Sequence, residues 1–131
     1  MNNKIDKILA EISAGELFDK ITILEIKRAK ISNKEKVNDI KKELSSLNET
    51  VKKYIPNQSI VSKHIDDLKN INLKLWDIEE GKRAAEKNND FGEKFIELAR
   101  NVYKFNDERA KIKSTINTSL GSNIKEVKSY D

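Results

Sequence analysis

The stretch SAGELFDKITILEIKRAKI, from Ser13 to Ile31, has no continuous polar face. Ser13 and Glu16 have the spacing of a capping box, in which the hydroxyl accepts from the Glu16 N–H and the carboxylate reaches back to the Ser13 N–H. That pair predicts a helix start. At about 100° per residue, Leu17, Phe18, Ile21, Ile23, Leu24, Ile26, Ala29 and Ile31 then point almost all the way round. A helix that is apolar all round needs neighbours on every side, so this one is expected at the centre of the fold. Glu25 lies in its densest apolar sector, one turn from Ile21 and Ala29. A lone buried carboxylate is very costly, so Glu25 is expected to have a partner.

The remaining pattern is also helical. Ile5, Ile8, Leu9 and Ile12 predict a short N-terminal helix over Asn3–Ile12. Ser32 and Glu35 repeat the capping spacing ahead of a helix over about Asn33–Ile55. Its apolar positions, Val37, Ile40, Leu44, Leu47, Val51 and Tyr54, follow the three–four alternation of a coiled-coil seam. Pro56 ends it. Ser59 is placed to cap a helix over about Ile60–Asn88, with Ile60, Val61, Ile65, Leu68, Ile71, Leu75 and Ile78 as its stripe. Asp90 and Glu93 open a last helix near Phe91, with Phe91, Phe95, Leu98, Val102, Phe105, Ile112, Ile116 and Leu120 as its stripe and Gly121 at its C-terminal end. These elements predict an all-α, single-domain antiparallel bundle over residues 1–131. It has about four long helices and a short N-terminal one. The short Pro56–Ser59 connection suggests a protruding, coiled-coil-like hairpin over about 33–88, and the tail is 121–131.

Composition narrows the function classes. One Pro, four Gly and few aromatics argue against a sandwich or barrel. There is no Cys, hence no disulfide and no thiolate zinc site. No apolar run is long enough to span a membrane and the start of the chain is too charged for a signal peptide, so the expected location is cytoplasmic. The net charge of +4 comes with Lys and acidic residues interspersed. Without a basic stripe, that charge argues against nucleic acid as the main partner. Only four of the 26 basic residues are Arg: Arg28, Arg83, Arg100 and Arg109.

Arg109 interrupts the apolar stripe of the last helix, with Asn106 at its edge and Tyr103 further round. Glu79 falls within the apolar arc of the preceding helix. A guanidinium has five donors and can serve two carboxylates, so Glu25, Glu79 and Arg109 are expected to meet. The candidate site is Glu25, Glu79, Arg109, Asn106, Tyr103 and Lys20, either a structural network or a pocket for a small anionic ligand. No metal ligand set and no cofactor motif is expected: the acidic pairs Glu16/Asp19 and Asp77/Glu80 read as solvated surface. The lone His64 reads as a packed or rim residue. The long seam on the 33–55 helix suggests a homodimer. The leading expectation is therefore a non-enzymatic interaction or scaffold module. An enzyme or binder for an anionic or phosphorylated metabolite comes second, and a nucleic-acid-associated protein third.

Four blocks carry a resemblance: GELFDKITILEIKRAKI at 15–31, LWDIEE at 75–80, FIELARNVYKFNDERAKIKSTIN at 95–117 and LGSNIKEVKSY at 120–130. Together they resemble a family of short bacterial proteins known only as a domain of unknown function. Gly15, Asp19, Lys20, Glu25, Trp76, Glu79, Tyr103, Asn106, Arg109 and Asn117 coincide with that family's pattern. The resemblance implies an all-helical protein and no particular activity. A partial one, through Ile5–Ile8 and Arg28–Ile31, is to the helical chorismate mutases. It implies that Arg28 and Lys20 hold a dicarboxylate, but the later helices lack the rest of that pattern.

Overall fold

The computed structural model describes residues 4–124 and 126–128. Its four helices are α1 (Ala14–Lys30), α2 (Lys34–Tyr54), α3 (Ser62–Lys87) and α4 (Glu93–Leu120), and no described residue is in a strand. The Ser13 hydroxyl accepts from the Glu16 N–H at 3.1 Å and starts α1 as expected, but the Glu16 carboxylate accepts from Lys113 rather than from the Ser13 N–H. At α2 the cap is Asn33, whose side chain accepts from the Lys36 N–H at 3.0 Å, rather than Ser32. Ser59 does not cap α3, because it lies in a 3₁₀ turn (Gln58–Val61) that precedes the helix. Gly121 closes α4 with φ of 66°, a left-handed conformation that favours glycine. The Gly121 N–H donates to the Thr118 carbonyl and the Ser122 N–H to the Asn117 carbonyl, the double bond of a Schellman end.

The N-terminal segment differs from expectation. Residues 4–12 form no helix, and Ile5, Ile8 and Leu9 are exposed; Asn3 lies outside the described residues. So few residues cannot sustain a helix in water, and the stripe finds no neighbour in its own chain.

The central helix is α1. It packs against α2, α3 and α4, and α3 packs along α4. Leu17, Phe18, Ile21 and Leu24 fill the core with Ile40, Leu44 and Val51 of α2, Leu68 and Ile71 of α3 and Ile116 of α4. The expected hairpin over 33–88 does not form, since α2 and α3 make no close backbone approach. The chain pairs as two hairpins, α1 with α2 and α3 with α4. Both α1–α2 and α2–α3 are joined by short links, so loop length did not decide. The wide apolar circumference of α1 offered the α2 seam more surface than the one-sided stripe of α3. Ile40, Leu44 and Val51 of the α2 seam, the seam that suggests a homodimer, are thus covered from within the chain, while Tyr54 at its end is exposed.

The α3–α4 hairpin outruns the core. The last buried residue of α3 is Ile78, and the first of α4 is Lys113. Beyond Ile78 and the part of α4 beside it the two helices continue as an arm, joined by half-buried Phe95 and by half-buried Leu98 beside Gly81. At its tip the rings of Phe91 and Phe95 meet edge to face, 5.3 Å apart.

Candidate functional site

Polar side chains from three helices converge on Asp19, which is 1% exposed in the interior. From α4, the Arg109 Nε–H donates to Asp19 Oδ1 at 2.9 Å and Nη2 donates to Oδ2, a two-pronged ion pair. From α3, the Asn72 amide donates to Asp19 Oδ1 at 2.9 Å and to Thr22 Oγ1 at 3.0 Å. Thr22, one turn after Asp19, donates its hydroxyl back to the Asp19 carbonyl at 2.9 Å. Arg109 Nη1 also donates to Asn106 Oδ1 at 3.3 Å. One turn further along α4, the buried Lys113 ammonium lies 2.8 Å from Glu16 Oε2, 3.6 Å from Asp19 Oδ2 and 3.3 Å from Glu126 Oε1. No described buried side-chain polar atom is left without a hydrogen bond.

These contacts set the charge states. Burial pushes the Asp19 carboxyl up, but hydrogen bonds from Arg109 and Asn72 and the charges of Arg109 and Lys113 outweigh it and hold it below the ordinary value. The hydrogen bond to Asp19 raises the Arg109 guanidinium above its ordinary value against the pull of burial. Burial lowers the Lys113 ammonium, yet its bond to Glu16 and the charges of Asp19, Glu16 and Glu126 raise it on balance. All three are therefore ionised at neutral pH.

The same end of α4 clasps the start of α1. The Gly15 N–H donates to Asn117 Oδ1 at 2.6 Å and the Ala14 N–H to Ser122 Oγ at 2.8 Å. Two first-turn N–H groups that have no partner inside α1 are thus satisfied from across the fold. Contact is close enough to require glycine: a Cβ on Gly15 would lie 2.5 Å from the Lys113 carbonyl oxygen.

Beside the network, α1, α3 and α4 leave a groove of about 600 Å³. Ile23, Ile26, Leu75, Trp76 and Val102 form its apolar wall. Asn72, Asn106 and Arg109 close the end nearest Asp19, and Glu79, Glu80 and Arg83 stand along its α3 side.

Of the expected site residues, Arg109 and Asn106 do belong together. Glu25 and Glu79 do not reach Arg109. Glu25 pairs with Lys69 at 3.8 Å and Glu79 with Lys82 at 3.5 Å, all with partly exposed side chains. Glu25 sits at the edge of the α1 interface, and Glu79 lies where α3 has begun to leave the core, so water and a nearby Lys suffice for each. Lys20 is exposed, 3.9 Å from Glu16, and Tyr103 is 58% exposed. Arg28 is exposed as well. The Glu16/Asp19 pair is not solvated surface: both carboxylates are taken by cations of α4. Asp19, Asn72, Lys113 and Asn117 are outside the candidate site expected from sequence, although Asp19 and Asn117 coincide with the family pattern that the chain resembles. One signal was available, since Lys113 and Asn117 follow Arg109 at i+4 and i+8, on the same face of α4.

The model of a family of unknown function, DUF6165, matches residues 8–131. The chain belongs to that family. The match in DUF6165 takes in the Asp19 network, the clasp at Gly15 and the whole groove. No curated protein and no solved structure matches the chain.

Proposed function

We propose that the protein is a non-enzymatic helical interaction module. The Asp19–Arg109 network holds α1, α3 and α4 in register, and the groove beside it receives an apolar helical segment of a partner. The observation that carries this reading is the groove wall of Ile23, Ile26, Leu75, Trp76 and Val102, left open between three helices and bordered by charges. Such a surface suits the apolar face of an amphipathic helix. The network supports a structural part for itself, because its acids and bases are committed to one another. A cytoplasmic setting belongs to the same reading, from the cysteine-free composition. No described helix is long and apolar enough to cross a membrane.

A second reading rests on Arg109, whose side chain keeps 28% of its surface exposed and lines the groove with Arg83. It takes a small anionic ligand there. Nucleic acid has the least support, because Lys20, Lys52, Lys69 and Lys82 each stand beside a carboxylate.

Trp76 is the only tryptophan and stands in the wall, so titration with the neutral apolar dye N-phenyl-1-naphthylamine tests the first reading. Energy transfer from Trp76 to the dye is expected, and Val102→Glu abolishes it with helix content unchanged. Absence of transfer both in the wild type and in Ile5→Glu/Leu9→Glu, which alters only exposed side chains ahead of α1, sinks the interaction reading. A melting temperature raised by pyrophosphate, with the rise lost in Arg83→Gln, selects the anionic ligand instead.

A further inference from the structure

The segment ahead of α1 carries a stripe that its own chain leaves uncovered. Ile5, Ile8, Leu9 and Ile12 fall at i, i+3, i+4 and i+7, one face of a helix. They are 74%, 78%, 86% and 40% exposed, and the segment is not helical. Contiguous aliphatic side chains in water mark an interaction surface. A helix this short gains stability only by docking. The groove of α1, α3 and α4 is an apolar surface that also lacks cover.

Length decides whose groove is filled. As a helix, the stripe from Ile5 to Ile12 spans about 10 Å. It joins α1 at Ser13, where the next residues are clasped to the end of α4. Folded back along α1, it reaches about the level of Lys20. The α1 wall of the groove is Ile23 and Ile26, about 15 and 20 Å from Ser13 along the helix. The segment falls short in its own copy, whereas a second copy carries no such tether. Charge agrees with this. On the helical segment Lys4 and Glu11 lie on one flank of the stripe. Laid parallel to α3, that flank meets Glu79 and Glu80 and then Arg83, opposite signs in order.

Resting on the groove reading above, and narrowing its partner, we propose that the Ile5–Ile12 stripe of one copy coils into the α1–α3–α4 groove of a second copy, and reciprocally. Mutual exchange of this kind closes as a two-fold dimer.

Sedimentation equilibrium of the full chain tests it, with Ile5→Glu/Leu9→Glu in the segment and Val102→Glu in the groove. The wild type is expected as a dimer, and each variant as a monomer of unchanged helix content. An equimolar mixture of the two variants regains a heterodimer, because the intact groove of the first meets the intact segment of the second. A wild type that stays monomeric overturns the proposal, as does a dimer that survives Val102→Glu. A monomer in which Ile5→Glu/Leu9→Glu shifts Trp76 emission places the segment in its own groove and overturns it too. The segment variant alters only exposed side chains, so its result stands even where Val102→Glu loses helicity. In that case a peptide of residues 4–13, titrated into the segment variant and read on Trp76, replaces the groove variant. Binding supports the proposal and no binding overturns it. The segment variant also separates the two ideas. If the proposal fails but this variant still takes up N-phenyl-1-naphthylamine beside Trp76, the groove reading survives; if the dye is refused, the groove reading falls as well.

Discussion

Around Asp19, charged side chains bond between helices, and the carboxylate at their centre is sealed from water. In the arm beyond Ile78, the ion pair Lys82–Glu79 lies within one turn of a single helix and is largely wet. The residue types are the same, but the consequences differ. A carboxylate that is 1% exposed and held by Arg109 and Asn72 fixes how α1, α3 and α4 slide past one another. Removing one partner strands the other in a poor solvent. A half-exposed pair within a turn constrains nothing beyond its own helix and is screened by water and salt. The apolar contacts follow the same division: Leu68 and Ile116 are fully buried at the network end, while Phe95 and Leu98 are half-buried in the arm.

The comparison breaks most directly at Asp19. Asp19→Ala leaves Arg109 and Lys113 without their shared anion and is expected to cost about 3–5 kcal/mol in urea-induced unfolding. A loss below 1 kcal/mol would put the network on a par with the arm. Gly15→Ala forces the Lys113 carbonyl away from α1 and is expected to cost about 1–3 kcal/mol by the same measurement.

Acid sharpens the contrast. The folded Asp19 carboxyl titrates below its ordinary value, so the unfolded chain takes up the proton first. Its stabilisation is present above about pH 4 and is lost as pH falls through the folded value. Lys113 is raised, so its share is present below about pH 10 and is lost as pH rises beyond. Thermal unfolding from neutral pH downward is expected to show a steep loss below about pH 4 that is much flatter in Asp19→Asn.

In the arm, Leu98→Ala is expected to cost about 1 kcal/mol. Amides of 82–98 are expected to exchange with a smaller opening free energy than those of 64–72. The smallest effects belong to the wet pairs: Glu79→Gln and Glu25→Gln are expected to change stability by less than about 0.5 kcal/mol.

The sequence pattern resolved elements better than partners. Four long helices, the Ser13–Glu16 start, the Gly121 end and the central place of α1 all follow from local spacing, because caps and stripes are written within one turn. Which stripe meets which is not local: α2 matched α1 or α3 equally well by length and periodicity. Arg109 was visible because it interrupts a one-sided stripe. Asp19 was not, since α1 is apolar nearly all round and offers no polar face against which a buried carboxylate stands out. Glu25 looked buried for the same reason, yet it lies at the edge where Lys69 reaches it. Residues 4–12 show the reverse case, a helical pattern that the isolated chain has no surface to support.

The bond from Ser122 to the first turn of α1 leaves residues 13 and 122 side by side at one pole, with Phe91 carried to the other. Helix α4 alone, Glu93–Leu120, spans about 42 Å between them. Groups attached at Ser122 and at Phe91 are therefore held apart by the length of α4.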